Sequence, residues 1–435
     1  MTETPRAFSG RTATLLVVAS MVGTGVFTTT GHLLTDLTSP LAVLACWGVG
    51  GLLALFGALA YGELAVRFPE SGGETTLTTH LYGRRVGFVA GFVSIVVGFA
   101  APIAASAIAF GEYADRALGG AGAAALPVGV ALLVLMVALH ASGRGGALFQ
   151  DSFTVLKVLL ILGVGGLGLA HGDGGRLSVA VDEAAGAMVS APFALGLVYV
   201  SFAYAGWNAA AYVAGEVKDP ARELPRALAI GAAVVTTLYL LLNAAFLVAA
   251  PVDTLAGETE VAHVAAAALF GENAARVASG IIALGLLSTV GAMVLTGARV
   301  AEAIGRRYPA LGFFAKRDVE GTTPRNATLL LGVISAALAF SASFDTLLIY
   351  TGVTLSFFAA LTVAGVFVAR RRDPNDPARR ANPLHPWSTL AFLALSIWMI
   401  VASTVARPIA AAAAGGTLAL GALLSFVLSS DVDPP

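Results

Sequence analysis

The sequence is poor in charge. Asp, Glu, Lys and Arg make up 12% of its 435 residues, and acids and bases nearly cancel at a net charge of −1. Soluble domains carry about 25% charged residues, so a soluble globular enzyme is excluded, as is a disordered chain, which needs high charge and few apolar side chains. Near-neutrality leaves no basic footprint for nucleic acid. The only cysteine, Cys46, lies within an apolar run. That rules out a disulfide-stapled fold and offers no external thiol for a linked accessory subunit. The histidines lack metal-ligand spacing, so no metal or other cofactor is expected. No Ser/His/Asp, His-Glu-x-x-His or paired-Asp pattern occurs inside the apolar runs, which sets aside an intramembrane hydrolase.

What the sequence has is hydrophobic length. Eleven stretches between charged residues, from Arg11 to Asp36 through Arg407 to Asp431, each suffice for a membrane helix, and a twelfth, Asp151 to Asp173, is interrupted only by Lys157. At about 20 residues per span, the expected fold is an all-α integral membrane protein of twelve transmembrane helices in one domain. The first apolar run reads as a retained span rather than a signal peptide. With the N-terminus inside and the spans alternating, 20 Lys and Arg residues fall on the inner side, among them Arg6, Arg11, Arg144 and Arg370. Four, Arg116, Arg176, Arg276 and Arg407, fall outside. The positive-inside rule then puts both termini in the cytoplasm and the protein in the cytoplasmic membrane, with lipid as its surroundings. Val261 to Phe270 reads as a short surface helix in an outer loop, and the Pro-rich Arg370 to Pro386 stretch as a solvated linker. Glu63, Glu74, Glu216, Lys218, Asp219, Arg222, Arg299 and Glu302 fall at inner span ends, where surface ion pairs of little energetic worth are expected.

Fifty glycines suit close helix packing in lipid. Two runs stand apart: Met21-Val22-Gly23-Thr24-Gly25-Val26-Phe27 in span 1, and Ser201 to Asn208 in span 6. The two glycines flanking Thr24 each cost about 1 kcal/mol of helix propensity, and broken backbone at membrane depth survives only where it is buried in protein or lines a cavity. An unwound segment exposes N–H groups on one side and C=O groups on the other, an arrangement suited to a zwitterion. A carboxylate would dock on the N–H groups of Thr24, Gly25 and Val26, and an ammonium on carbonyls of Met21 and the span 6 break. Breaks five spans apart suggest two five-helix halves in inverted topology, 12–170 and 191–369, followed by two trailing helices, 387–429.

Gly23-Thr24-Gly25-Val26-Phe27 resembles the Gly-Ser/Ala-Gly-Ile/Val-Phe signature of the amino acid, polyamine and organocation transporter superfamily. Tyr61-Gly62-Glu63-Leu64, with Arg67-Phe68-Pro69-Glu70-Ser71-Gly72-Gly73-Glu74, is similar to that family's loop after span 2. Phe202 to Asn208 with the tail Gly215 to Arg226, and Thr351 to Ser356, resemble the branch holding the L-type amino acid transporters and their bacterial relatives. The resemblance implies a leucine-transporter-type fold of ten core helices plus two, working by alternating access. Carried over, it implies that Thr24 and Gly25 hold the substrate carboxylate, that Met21, Phe202, Ala203 and Ala205 offer carbonyls to the amino group, and that Phe202 closes over the substrate as a gate; Gly23 and Val26 complete the candidate substrate site. Asn208 would read the substrate side chain or make an interhelical hydrogen bond. No acidic residue in spans 1, 3, 6, 8 or 10 is placed to pair with a cationic side chain, unless His32 or Asp36 near the outer end is used, so the pocket reads as neutral. Its volume is expected to depend on Phe99, Pro102, Ser288 and Phe357.

Lys157 falls roughly 16 Å into span 5 at 1.5 Å per residue, and an intramembrane ionisable group is a functional hypothesis in itself. The resemblance implies that its ammonium fills the space of a sodium ion in sodium-coupled relatives, bridging span 1 carbonyls near Gly23 to Ser288 or Thr289. Burial disfavours a charged amine, so two roles stand open: a proton carrier, or a permanent brace between spans 1 and 5. The sequence thus points to a secondary transporter of small neutral L-amino acids, proton-coupled through Lys157. An exchanger, or a non-transporting membrane sensor or scaffold, is the alternative.

Overall fold

The computed structural model describes residues 8–120, 122–142, 148–177, 181–317 and 323–428. Arg6, Arg144 and Asp431, used above to count charge and spans, lie outside the described residues. Within them the chain is helical, apart from one bridge that pairs Phe8 with Val217. Helices α1 (Gly10–Met21) and α2 (Gly25–Asp36) are halves of one rod bent by 43°. They are followed by α3 (Pro40–Arg67), α4 (Gly73–Tyr82), α5 (Arg84–Ala117), α6 (Ala125–Ala141), α7 (Leu148–His171) and α8 (Ala191–Tyr204). Then come α9 (Pro220–Ala249), α10 (Val261–Phe270), α11 (Glu272–Arg307), α12 (Arg325–Ser341), α13 (Phe344–Arg372), α14 (Trp387–Ala406) and α15 (Pro408–Leu428). Among the described residues eight helices are long and apolar enough to cross a membrane, α8 being counted together with the 3-10 helix after it as Ala191–Glu216, or nine with the bent pair taken as one span. Helices α6, α10, α12 and the Val155–His171 part of α7 are shorter but also apolar.

Local chemistry sets the helix starts. Ser9, Ser39, Ser190 and Ser343 each accept a backbone N–H of the first turn, satisfying a donor that the helix itself cannot. Proline follows Ser39 in the first turn of α3, where its missing N–H costs nothing. Large apolar side chains such as Leu15, Val333, Ile397 and Phe426 point outward, while small residues fill the helix contacts, the arrangement expected where the solvent is hydrocarbon.

The two ends of the bundle differ in chemistry. Asp345 and Arg370 lie at opposite ends of α13, about 38 Å apart at helical rise. At the Arg370 end, hereafter the basic end, buried Glu63 accepts two parallel 2.8 Å hydrogen bonds from Arg370. There too Arg67 donates to the Ala369 carbonyl at 2.7 Å, and Arg317 to Glu302 at 2.7 Å. Glu63, Glu74 and Glu302 are all buried, which corrects the expectation of surface pairs; at Glu63 the reason is an arginine fork that matches the carboxylate well enough to be buried with it. Nor is Arg370 to Pro386 simply a solvated linker, since Arg370 is drawn onto Glu63 and Asn382 is buried. The opposite end is tied by Arg116 to Glu260 at 2.6 Å, Arg407 to Asp36 at 3.2 Å, and Tyr199 to Asp345. His32 faces Asp345 at that end, so neither His32 nor Asp36 belongs to the interior.

Candidate functional site

The bend between α1 and α2 follows directly from Gly23 and Gly25. The last regular bond of α1 runs from the Val22 N–H to Val18; the Gly23 N–H then turns back to the Met21 carbonyl at 2.8 Å. Among the described residues the N–H groups of Thr24, Gly25 and Val26 take no backbone acceptor, and pairing resumes with Phe27 to Thr24 at 3.1 Å. Three free donors at the start of α2 form a site for negative charge. The Thr24 hydroxyl is fixed by Ser106 at 2.6 Å. Val26 is buried and is not among the residues that line the cavity described below.

The second break follows α8. Ala205 turns to extended backbone at ψ 139°, Gly206 takes φ +101°, and a 3-10 helix, Ala209–Glu216, resumes after Asn208. The two breaks touch. A Cβ on Gly25 would lie 2.4 Å from Ala203 Cα, and one on Gly206 would lie 2.7 Å from the Ser20 carbonyl oxygen. Glycine is required at both positions by close approach, and at Gly206 by its positive φ as well.

Around this crossing lies a cavity of about 330 Å³, within the range of small-molecule sites. Met21, Gly23, Thr24, Gly25, Phe202, Ala203, Ala205, Asn208, Lys157, Ser288 and Thr289 all line it. Its wall runs from Gly25 back to Leu16, from Ser201 forward to Val213, and from Ser288 to Thr296, in each case toward the basic end. Away from that end α2 is clamped. Tyr113 donates to the Phe27 carbonyl at 2.6 Å, Asn243 meets Thr30, and the Gly257 N–H donates to the Gly31 carbonyl at 2.8 Å. Phe99, Pro102 and Ser288 are on the wall as expected, but Phe357 is not. It points outward, 41% exposed, because the helical period turns Leu355 and Ser356 inward instead. One turn of α5, Ser94–Ala100, is π-helical. Pro102 has no N–H for the carbonyl four residues earlier, and the wider turn absorbs that loss beside the cavity.

Lys157 Nζ donates to the Val22 carbonyl at 2.9 Å and to Thr289 Oγ1 at 3.2 Å. Of the two hydroxyls considered, Thr289 is bonded and Ser288 is not. One further side chain, Tyr239, went unnoticed in the sequence. Tyr239 Oη lies 2.6 Å from the Met21 carbonyl and 3.1 Å from that of Ala203; the Met21 carbonyl, which also accepts the Gly23 N–H, then has both lone pairs engaged, so an ammonium there must displace a donor, whereas the Ala203 carbonyl keeps one lone pair. Phe202, 7% exposed, has its carbonyl engaged by the Ala205 N–H at 3.1 Å. Asn208 Nδ2 donates to Glu74 Oε1 at 3.1 Å. Its observed partner is therefore a protein carboxyl, the interhelical alternative. Glu74 also lines the cavity, so the wall is not free of acids; it comes from α4, outside the spans surveyed for charge. Polar Tyr239 and Asn243, one turn apart in the apolar α9, were the signal in the sequence.

A family model described as amino acid permease matches residues 8–423. The chain belongs to the amino acid permease family. The human protein named large neutral amino acids transporter small subunit 2 is 29% identical over 402 residues, 88% of this chain and 74% of that protein. The serine/threonine exchanger SteT of Bacillus subtilis is 27% identical over 399 residues, 89% of each chain. The mouse b(0,+)-type amino acid transporter 1 is 27% identical over 407 residues, 90% of this chain and 81% of that protein. With its many apolar helices, this permease is a multi-pass membrane protein of the amino acid, polyamine and organocation superfamily.

In the permease Tyr239 joins both breaks through one hydroxyl. Tyr239→Phe removes that link and is expected to cost about 1 kcal/mol of stability, seen as a lower melting temperature in detergent, together with a several-fold weaker apparent amino acid affinity. An unchanged affinity would refute a role for the bridge in shaping the site.

Proposed function

We propose that this permease is a secondary active transporter of small neutral L-amino acids in the cytoplasmic membrane, working by alternating access. The observation that carries this reading is the crossing of the two breaks, where Thr24 and Gly25, whose N–H groups have no backbone acceptor, line the same cavity as Met21 and Ala203. A free amino acid offers the matching pair of charges. Gly23, Thr24, Gly25, Ala203, Ala205 and Gly206 share the wall with larger side chains that include Phe202 and Trp207, and we take the small residues at the crossing to favour a small neutral side chain. Taking the bent pair as one span and adding α6, α7 and α12 to the eight long helices makes twelve, two five-helix repeats and two trailing helices. The positive-inside rule puts the basic end in the cytoplasm, with both termini. The cavity then opens inward while the clamp on α2 closes it outward.

Lys157 is the proposed coupling group, with a proton as the coupling ion. Its ammonium occupies the carbonyl and hydroxyl that a sodium ion would need, which argues against sodium. Exchange is the second reading, favoured by the relative that is named an exchanger. The human relative is named a small subunit; Cys46 here is buried, its thiol 4.0 Å from the Phe193 carbonyl, so no disulfide-linked partner is proposed.

The test is counterflow. Purified permease in sodium-free proteoliposomes loaded with unlabelled serine, threonine or alanine is expected to accumulate the labelled amino acid transiently, and empty vesicles are not. Failure across the neutral amino acids, with ligand-induced thermal stabilisation retained, would favour the sensor reading.

A further inference from the structure

Glu74 is the carboxyl on the cavity wall to which the proposed function gives no task. It is 7% exposed and sits in the first turn of α4. Tyr61 Oη donates to its Oε1 at 2.7 Å, and Asn208 Nδ2 donates to the same oxygen at 3.1 Å. Among the described residues no donor reaches Oε2. That asymmetry matters. An ionised carboxylate seeks donors on both oxygens, whereas a neutral acid has one carbonyl oxygen that accepts and one O–H that donates. Two donors on Oε1 and none on Oε2 is the pattern of the neutral acid, with its proton on the oxygen left to the cavity.

Nor does a cation neutralise it. On α3, Glu63 and Arg67 are tied to Arg370 and to Asp376. On α13, Arg370 is on Glu63 and Arg372 donates to the His80 and Leu81 carbonyls at the far end of α4. On α5, Arg85 lies over Phe426 and Arg84 has partners of its own. On α4 itself His80 faces Glu70 at 3.2 Å. From the 3-10 helix Tyr212 faces Glu74, and Glu216 lies at its end. Lys157 shares the cavity but bonds Val22 and Thr289. Burial pushes the Glu74 carboxyl up from its ordinary range, against the pull of the Tyr61 and Asn208 donors.

We infer that Glu74 is a proton-binding site on the cavity wall, and that Asn208 transmits its protonation to the break in span 6. The inference rests on the cavity being the substrate route. Ionisation turns two neutral hydrogen bonds into charge-assisted ones, which are roughly twice as strong. The deprotonated state therefore binds Asn208 tightly to α4, and the protonated state loosens it. Because Asn208 is two residues from Gly206, the hinge of the second break, the proton and the amino acid are read by the same backbone.

The experiment is counterflow of a neutral amino acid with equal pH on both sides of the vesicle, repeated from pH 5 to pH 9. Wild type is expected to change its apparent affinity by about threefold or more across one titration. Glu74→Gln, an uncharged isostere, is expected to transport at every pH with the affinity that wild type shows at its acid limit. Tyr61→Phe removes a donor that favours the ionised form, so its midpoint is expected to move to higher pH. An infrared difference spectrum of wild type between acid and alkaline pH is expected to carry a protonated-carboxyl band that Glu74→Gln lacks. The proposal is overturned by a Glu74→Gln profile that follows wild type, or by counterflow of a cationic amino acid that Glu74→Gln abolishes, which would assign the carboxylate to a substrate cation. If Glu74→Gln does not fold, an unmoved midpoint in Tyr61→Phe overturns it instead. Absence of wild-type counterflow at every pH is a different outcome, the failure of the transport reading itself; the infrared band still decides whether Glu74 holds a proton.

Discussion

Gly25→Ala is expected to lower amino acid uptake at least tenfold while Gly48→Ala leaves it unchanged. Both substitutions add one methyl group, and in a helix with room that methyl stabilises by about 0.5–1 kcal/mol. At Gly48 a Cβ meets nothing within 4 Å. At Gly25 it would lie 2.4 Å from Ala203 Cα and 3.1 Å from Ala203 N. These are backbone atoms and cannot rotate away, so the breaks must part. Overpacking costs typically 1–3 kcal/mol. The functional loss exceeds that figure because displacement acts on the N–H groups of Thr24, Gly25 and Val26 proposed to hold the carboxylate. Initial uptake in proteoliposomes, normalised to correctly folded protein by size-exclusion chromatography, reads the difference. Wild-type uptake by Gly25→Ala would show that the crossing can relax without consequence, and the cradle would lose its support.

The pair Gly23 and Gly25 could be read from the sequence because two glycines around a threonine have a cost that only a break repays. The same holds for Lys157, one charge in an otherwise apolar run. Other features depended on three-dimensional proximity. Glu74 sits two residues after Gly72 in a stretch rich in polar residues, where surface exposure is the ordinary expectation; only the packing of α4 against Tyr61 and Asn208 carries it inside. Tyr239 is one aromatic among nine tyrosines, and nothing in α9 says that its hydroxyl ends between two carbonyls that lie 182 residues apart in sequence, Met21 and Ala203. Phe357 was expected to bear on the cavity volume, but one step of 100° along the helix from Ser356 turns it out. The π-helical turn at Ser94–Ala100 has Pro102 as its sequence mark, but a proline there is equally compatible with a kink or a helix start. The outward clamp, in which Tyr113, Asn243 and Gly257 hold α2, joins segments more than 80 residues apart and has no local signature.

Lys157→Gln and Lys157→Ala are expected to separate coupling from transport. In wild type the ammonium joins the Val22 carbonyl at the first break to Thr289 on α11, so a single proton lost from Nζ weakens the tie between α1 and α11. Glutamine keeps a donor on a shorter side chain but has no charge to titrate. Under the proton-coupled reading, Lys157→Gln retains counterflow at a reduced rate, yet an inward proton gradient no longer drives net accumulation. Lys157→Ala loses the tie altogether, leaves the Val22 carbonyl without its donor, and drops counterflow by tenfold or more. If the lysine is instead a permanent brace, as in an exchanger, wild type itself shows no gradient-driven accumulation, and both variants differ from it only in rate. The decisive comparison is therefore net uptake at an imposed pH difference against counterflow at equal pH, each protein measured both ways. Wild-type accumulation under the gradient by Lys157→Ala would exclude both roles, since an alanine carries no proton and can brace nothing.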